Sequence, residues 1–109
     1  MNMHAVSIAG IMLLLSAPTF ADAAETTLII RNHCFTPSAI TVPAGERVKL
    51  TIDNQDPTPE EFESHDLNRE KIIPAHSQVT IWIGPLKQGS YAFVGEYHED
   101  TAKGRILAR

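Results

Sequence analysis

Residues 47–53 read Arg-Val-Lys-Leu-Thr-Ile-Asp, with Val48, Leu50 and Ile52 alternating with Arg47, Lys49, Thr51 and Asp53. A period of two sends successive side chains to opposite faces, so this stretch is a half-buried β-strand and cannot place an apolar stripe on a helix. The same alternation returns at Val79, Ile81 and Ile83, and at Tyr91–Val94, where Tyr91 and Phe93 alternate with Ala92 and Val94. Pro43-Ala44-Gly45, Gly84-Pro85 and Gly95 punctuate these runs, as turns between short strands require.

Taken in order, Thr26–Asn32 reads as a first strand, Ile40 and Val42 as a short second, and residues 47–53 as a third. Asn54 to Ile73 breaks the rhythm: Pro57 and Pro59 oppose regular pairing, five acids fall between Asp56 and Asp66, and a short helical turn is expected over Asp66–Lys71. Strands follow around Val79–Ile83 and Tyr91–Val94, and Gly104 allows the turn into a last one at Arg105–Ala108. Six or seven short strands with turns every 8–12 residues predict an all-β fold, a small antiparallel Greek-key β-sandwich. Tyr91, after the turn Leu86–Ser90, resembles the tyrosine corner common to sandwiches. Trp82 falls on the face opposite Val79, Ile81 and Ile83, and is expected to lie under the long loop.

The chain of 109 residues holds one domain. Its apolar run Ala5–Ala17, followed by Ala21-Asp22-Ala23, reads as a secretory signal peptide over residues 1–23 with cleavage after Ala23. The expectation is therefore a periplasmic (secreted) domain over residues 24–109, large enough to bury about 60–65% of its unfolded surface. All three methionines lie within the signal, and the single cysteine, Cys34, has no disulfide partner in the chain. A net charge of −4 without a basic patch argues against nucleic-acid binding.

Between the last two strands, Glu96, His98, Glu99 and Asp100 fall within five residues. Loops held by a rigid sandwich yet open to water are where such proteins carry sites. Glu61 and Glu63, two apart, share a face if their segment is extended, with His65 just beyond. An acidic solvated surface is the alternative for all of them.

The order of features resembles the cupredoxins: Phe35-x-Pro37, Ile40-x-Val42-x-Ala44-Gly45, Asn54 at the end of the third strand, Pro85-Leu86-Lys87-x-Gly89-x-Tyr91-x-Phe93, and the His98…Gly104 loop. Within that fold the stretches Glu61–Ser64 and Gly95–Gly104 resemble the cupredoxin-like domain of periplasmic iron-uptake proteins of the EfeO type. A blue-copper centre takes two imidazoles and a thiolate, commonly with an axial thioether. The resemblance aligns Gly95 with the loop cysteine and Ala102 with the axial methionine, leaves His98 as the one surviving loop ligand, and sets the upstream histidine's position within Glu60–Glu63. It therefore implies the fold without the blue centre.

The resemblance also implies that the loops after Asn54 and around His98 share one end of the sandwich. That brings Glu61, Glu63 and His65 toward His98 and Glu96 as ligands of a transition metal ion, iron or copper. Carboxylates and imidazoles suit Fe(II), Fe(III), Mn(II), Zn(II) and Cu(II) and serve Cu(I) poorly. Cys34 matches a cysteine regarded as a ligand in the related domain, but a buried thiol without a metal role is the simpler reading. His33 and His76 fall in turns, and Glu99 and Asp100 are expected to face solvent. Three functions fit: a metal-binding accessory of ferrous iron uptake with a membrane iron permease as partner, a copper-assisted ferroxidase, and a metal-free adaptor that uses its acidic loops.

Overall fold

The computed structural model describes Gly10 and residues 24–109. The segment read as a signal peptide otherwise lies outside the described residues. Among the described residues nine strands follow one another: β1 (Ala24–Arg31), β2 (Cys34–Thr36), β3 (Ala39–Val42), β4 (Val48–Asn54), β5 (Glu60–Ser64), β6 (Arg69–Ile73), β7 (Ser77–Ile83), β8 (Gly89–Gly95) and β9 (Lys103–Ala108). One turn of 3-10 helix, Glu96–His98, joins β8 toward β9.

The strands form two sheets, β2-β1-β4-β7 and β3-β9-β8-β5-β6, the expected β-sandwich. Two pairings are parallel, β1 with β4 and β3 with β9, and the rest are antiparallel. Alternation specifies which face of a strand is buried but carries no information on the direction of its neighbour.

Val48, Leu50 and Ile52 are all buried, as their period demands, and they meet Leu28, Ile30, Phe62, Phe93 and Ile106 between the sheets. Phe93 packs edge-on against Phe35, with centroids 4.9 Å apart, and lies 5.2 Å from Phe62. Tyr91 donates its hydroxyl to the Lys87 carbonyl at 2.7 Å, closing the expected corner.

Two sequence expectations are corrected. Residues 60–73 form the β5–β6 hairpin, and no helical turn occupies Asp66–Lys71. The polar character of β5 conceals a period of two, because Glu60, Phe62 and Ser64 are buried while Glu61 and Glu63 face outward. The turn closes through Asn68, which takes a left-handed φ of 53° and donates its N–H to the His65 carbonyl; asparagine tolerates that conformation. Trp82 is not covered by the loop. It is 38% exposed, and the Arg47 guanidinium stacks over its ring 4.4 Å from the centroid, a cation–π contact that covers one face of the indole.

Candidate metal-site end of the sandwich

Three connections meet at one end: β1–β2, β4–β5 and β8–β9. Asn54 and Asp56 tie the first two together. Asn54 Nδ2 lies within hydrogen-bonding distance of the carbonyls of Thr58, Ile73 and Pro74, and its Oδ1 accepts from the Asp56 N–H. The Asp56 carboxylate accepts the N–H groups of Asn32 (2.7 Å) and His33 (2.9 Å), two residues held at φ of 52° and 58°. Burial alone would raise the Asp56 pKa. The His33 and Asn32 amides, with the His33 and His98 imidazoles nearby, outweigh it and hold the carboxyl below its usual range.

Glu60 is the centre of this end, and it is 1% exposed. Its Oε1 accepts the N–H of Glu61 at 3.0 Å and of Tyr97 at 2.9 Å, and its Oε2 lies 2.5 Å from His98 Nδ1. The His98 ring stacks on His33, with centroids 3.5 Å apart and planes 14° from parallel. Thr101 Oγ1 donates to the His33 carbonyl at 2.5 Å. A buried carboxylate is sustained only where its oxygens are satisfied, and here one side chain links β5, the 3-10 turn and, through His98, the β1–β2 turn.

Gly95 and Ala102 flank Glu60. A Cβ built on Gly95 would lie 2.6 Å from Ala102 Cβ, 2.7 Å from Glu60 Cδ and 2.9 Å from Glu60 Oε1. A cysteine there would collide with the carboxylate, and Ala102, fully buried, offers no sulfur. The residues present therefore do not fit a blue-copper centre. The space is filled by Glu60 and its hydrogen bonds.

Strand parity separates the sequence-named candidates. His98 pairs with Glu60, whereas Glu61 and Glu63 point from β5 to the outer face of the five-stranded sheet, away from the core-facing Glu60. His65 Nε2 lies 3.3 Å from Glu63 Oε1, its side chain almost wholly exposed. Glu61 and Glu96 do meet, and Glu70 of β6 joins them, the three presenting ligand atoms all within 4.8 Å of one another. The convergence of Glu61 and Glu63 with His98 implied by the resemblance is thus replaced by two groups: an inner Glu60–His98–His33 stack and an outer Glu61–Glu70–Glu96 cluster.

Crowding of like charges is visible in the outer cluster. Burial raises the Glu61 pKa, and the Glu96 carboxylate raises it further. In Glu96 the interaction with Glu61 favours the charged form, but Glu63, burial and the Glu70 carboxylate together outweigh it and the pKa is raised. Sequence reasoning missed Glu70 and named Glu60 only as part of the Glu60–Glu63 cluster, not as a site residue. Glu60 becomes visible once Phe62 is recognised as a core residue, since i and i−2 share a face. Glu70 becomes visible once residues 60–73 are recognised as a hairpin, where it stands opposite Glu63. Glu99 and Asp100 face solvent as expected. Cys34 is free and half-buried.

A two-sheet sandwich with its loops gathered over one end is the architecture of a cupredoxin. The family model for the cupredoxin-like domain matches residues 4–108, and this chain belongs to that family. An uncharacterized protein of Rickettsia prowazekii (strain Madrid E) is 46% identical over 83 residues. The match takes in 76% of this chain and spans 66% of that relative's length.

Similar solved structures include the Cu(I)-bound metal-binding domain of the Streptococcus pneumoniae D39 Cu(I)-exporting P-type ATPase CopA (TM-score 0.72, 14% identity, covering 84% of this chain and 91% of that one). They also include a copper-binding protein in its apo form (TM-score 0.68, 17% identity, 78% and 86%). A third is auracyanin A, a blue copper protein of Chloroflexus aurantiacus (TM-score 0.69, 11% identity, 80% and 99%). At these identities the likeness is one of fold.

Proposed function

We propose that this protein is a periplasmic metal-binding cupredoxin that holds iron or copper through carboxylates, as an accessory of ferrous iron uptake alongside a membrane iron permease. One observation carries the metal reading: Glu61, Glu70 and Glu96, from β5, β6 and the 3-10 turn, offer oxygens within 4.8 Å of one another. Oxygens sharing an ion at about 2.1 Å stand roughly 3–4 Å apart, so small side-chain rotations would close the set. An oxygen donor set favours Fe(II), Fe(III), Mn(II) and Cu(II) over Cu(I). The placement in iron uptake rests on the resemblance of residues 61–64 and 95–104 to the EfeO type, and the metal reading draws further support from the copper named for the fold's solved neighbours.

The chain's own residues define what the site would do. Proton release from Glu61 and Glu96, both raised in pKa, accompanies binding, so affinity increases as pH rises through the carboxylate range. The three side chains stand on an open face, which suits exchange of an ion with a partner.

Calorimetric titration with Fe(II), Cu(II) and Zn(II) under anaerobic conditions tests this. Glu61→Gln, Glu70→Gln and Glu96→Gln are each expected to weaken binding at least about tenfold, while His76→Ala, a turn residue elsewhere, leaves it unchanged. Loss confined to His98→Ala would move the ion to the His98 imidazole beside Glu60. No binding by the wild type would favour the adaptor reading. Intact mass of the periplasmic protein, expected to begin at Ala24, tests the location, and Met1 retained would refute it.

A further inference from the structure

The outer face of the five-stranded sheet carries a charge pattern that its own copy would complement. Strand register places Glu70 opposite Glu63, Glu63 opposite Val94, and Val94 opposite Lys103. Across four strands the row therefore reads acid, acid, apolar, base. One step along, Ala92 stands opposite Arg105, whose Nη1 donates to Ser90 Oγ at 2.8 Å.

The short side chains of Ala92 and Val94 leave a trough along β8. It opens to about 450 Å³ on the Lys103–Arg105 side and about 170 Å³ on the Glu63–His65 side. Glu61, Glu70 and Glu96 extend the acidic half. A face of one sign would call for a different partner of the opposite sign. A face that is acidic on one flank and basic on the other, with an apolar stripe between, matches itself under a two-fold rotation.

We propose that this face is the interface of a homodimer with its two-fold axis along β8. That rotation carries β9 of the second copy over β5 of the first at the same height along the strands, because Glu63 and Lys103 both stand opposite Val94. Each Lys103 then faces the other copy's Glu63, the two Val94 side chains meet on the axis, and Ala92 fills beside them. His65, 3.3 Å from Glu63, is exposed and free to turn aside. Four strands spaced about 4.8 Å apart and six residues of about 3.4 Å each give roughly 400 Å² per copy. That is about 800 Å² in total, below the roughly 1,000 Å² a stable interface needs, so the dimer is a weak, transient one. The interface borders the carboxylate cluster, but Glu63, on which the test turns, is not among its three converging residues.

Sedimentation velocity of residues 24–109, in chelator, from low to high micromolar protein, tests the proposal. The wild type is expected to shift from monomer to dimer at low salt, and to be monomeric at about 1 M salt, where the Debye length is about 3 Å. Glu63→Lys and Lys103→Glu should each weaken association at least about tenfold, since each sets like charges face to face. An equimolar mixture of the two should associate again as a heterodimer, an outcome that neither misfolding nor general charge effects would mimic. Monomer at every concentration, a dimer indifferent to both reversals, or a mixture that stays monomeric would overturn the interface. Because no metal is present, none of these results bears on the carboxylate cluster.

Discussion

Removing Glu60 is the substitution from which the structure predicts the largest loss. Its carboxylate is 1% exposed, accepts two backbone N–H groups and faces His98 Nδ1. In Glu60→Ala the Glu61 and Tyr97 amides and the imidazole lose their partner in a region with little access to water. The flanking Gly95 and Ala102 are too small to fill the space. Leaving buried donors without a partner costs about 1–3 kcal/mol each, so losing all three contacts costs at least about 3 kcal/mol, against a total of about 5–15 kcal/mol for a domain of this kind.

Glu60→Gln should cost only about 1–2 kcal/mol. The amide oxygen still accepts both N–H groups, and only a charge-assisted bond to His98 is exchanged for a neutral one. Urea unfolding of residues 24–109, followed by far-UV circular dichroism and by Trp82 fluorescence, measures both, with the slope checked for constancy. In a domain of this size each kcal/mol moves the thermal midpoint by about 4–8 °C, so Glu60→Ala should melt at least about 12 °C lower. A loss below about 1 kcal/mol in Glu60→Ala would refute the view that this carboxylate braces the site end. So would equal losses in the alanine and glutamine variants.

Adding Cu(II) should produce no intense thiolate-to-copper absorption in the visible, because Gly95 and Ala102 supply no sulfur; a strong band abolished by Cys34→Ser would contradict this. The folded-state pKa of Asp56 is depressed, so its contribution to stability is present above the ordinary carboxylate value and is lost as pH falls through the folded one. Urea midpoints measured downward from about pH 5 should therefore fall more steeply in the wild type than in Asp56→Asn, and parallel curves would count against the assignment. Gly84 has φ of 83°, and a Cβ there would lie 2.7 Å from the Glu46 carbonyl oxygen. Gly84→Ala should thus destabilise by about 1–3 kcal/mol in the same assay, and an unchanged midpoint would show that the turn relaxes freely.

Much of the fold was legible because alternation is a local property. Val48–Ile52 and Val79–Ile83 declare both strand and buried face without reference to any partner, and Tyr91 declares its corner from the turn before it. The β5–β6 hairpin was not legible, since its buried positions include Glu60 and Ser64, which hydropathy reads as solvent-facing. Burial of Glu60 depends on donors from residues 61, 97 and 98, two of them distant in sequence. The resemblance to cupredoxins placed Gly95 and Ala102 at one site and identified the missing sulfurs. Whether the vacated space would hold water, a metal or a side chain depended on the reach of a residue from another strand.

The sequence by itself thus determined a sandwich of short strands and a cupredoxin order of motifs, with glycine and alanine at the positions that the resemblance aligns with the loop thiolate and axial thioether. Only the tertiary structure decided that Glu60 turns inward to His98 while Glu61 turns outward to Glu70 and Glu96. It alone set Lys103 and Glu63 on either side of Val94. Adjacent residues on a strand face opposite sides of the sheet, so one position of register separates the two groups of carboxylates. Register is fixed by packing Phe62 against Phe93 and Phe35, contacts between residues far apart in the chain.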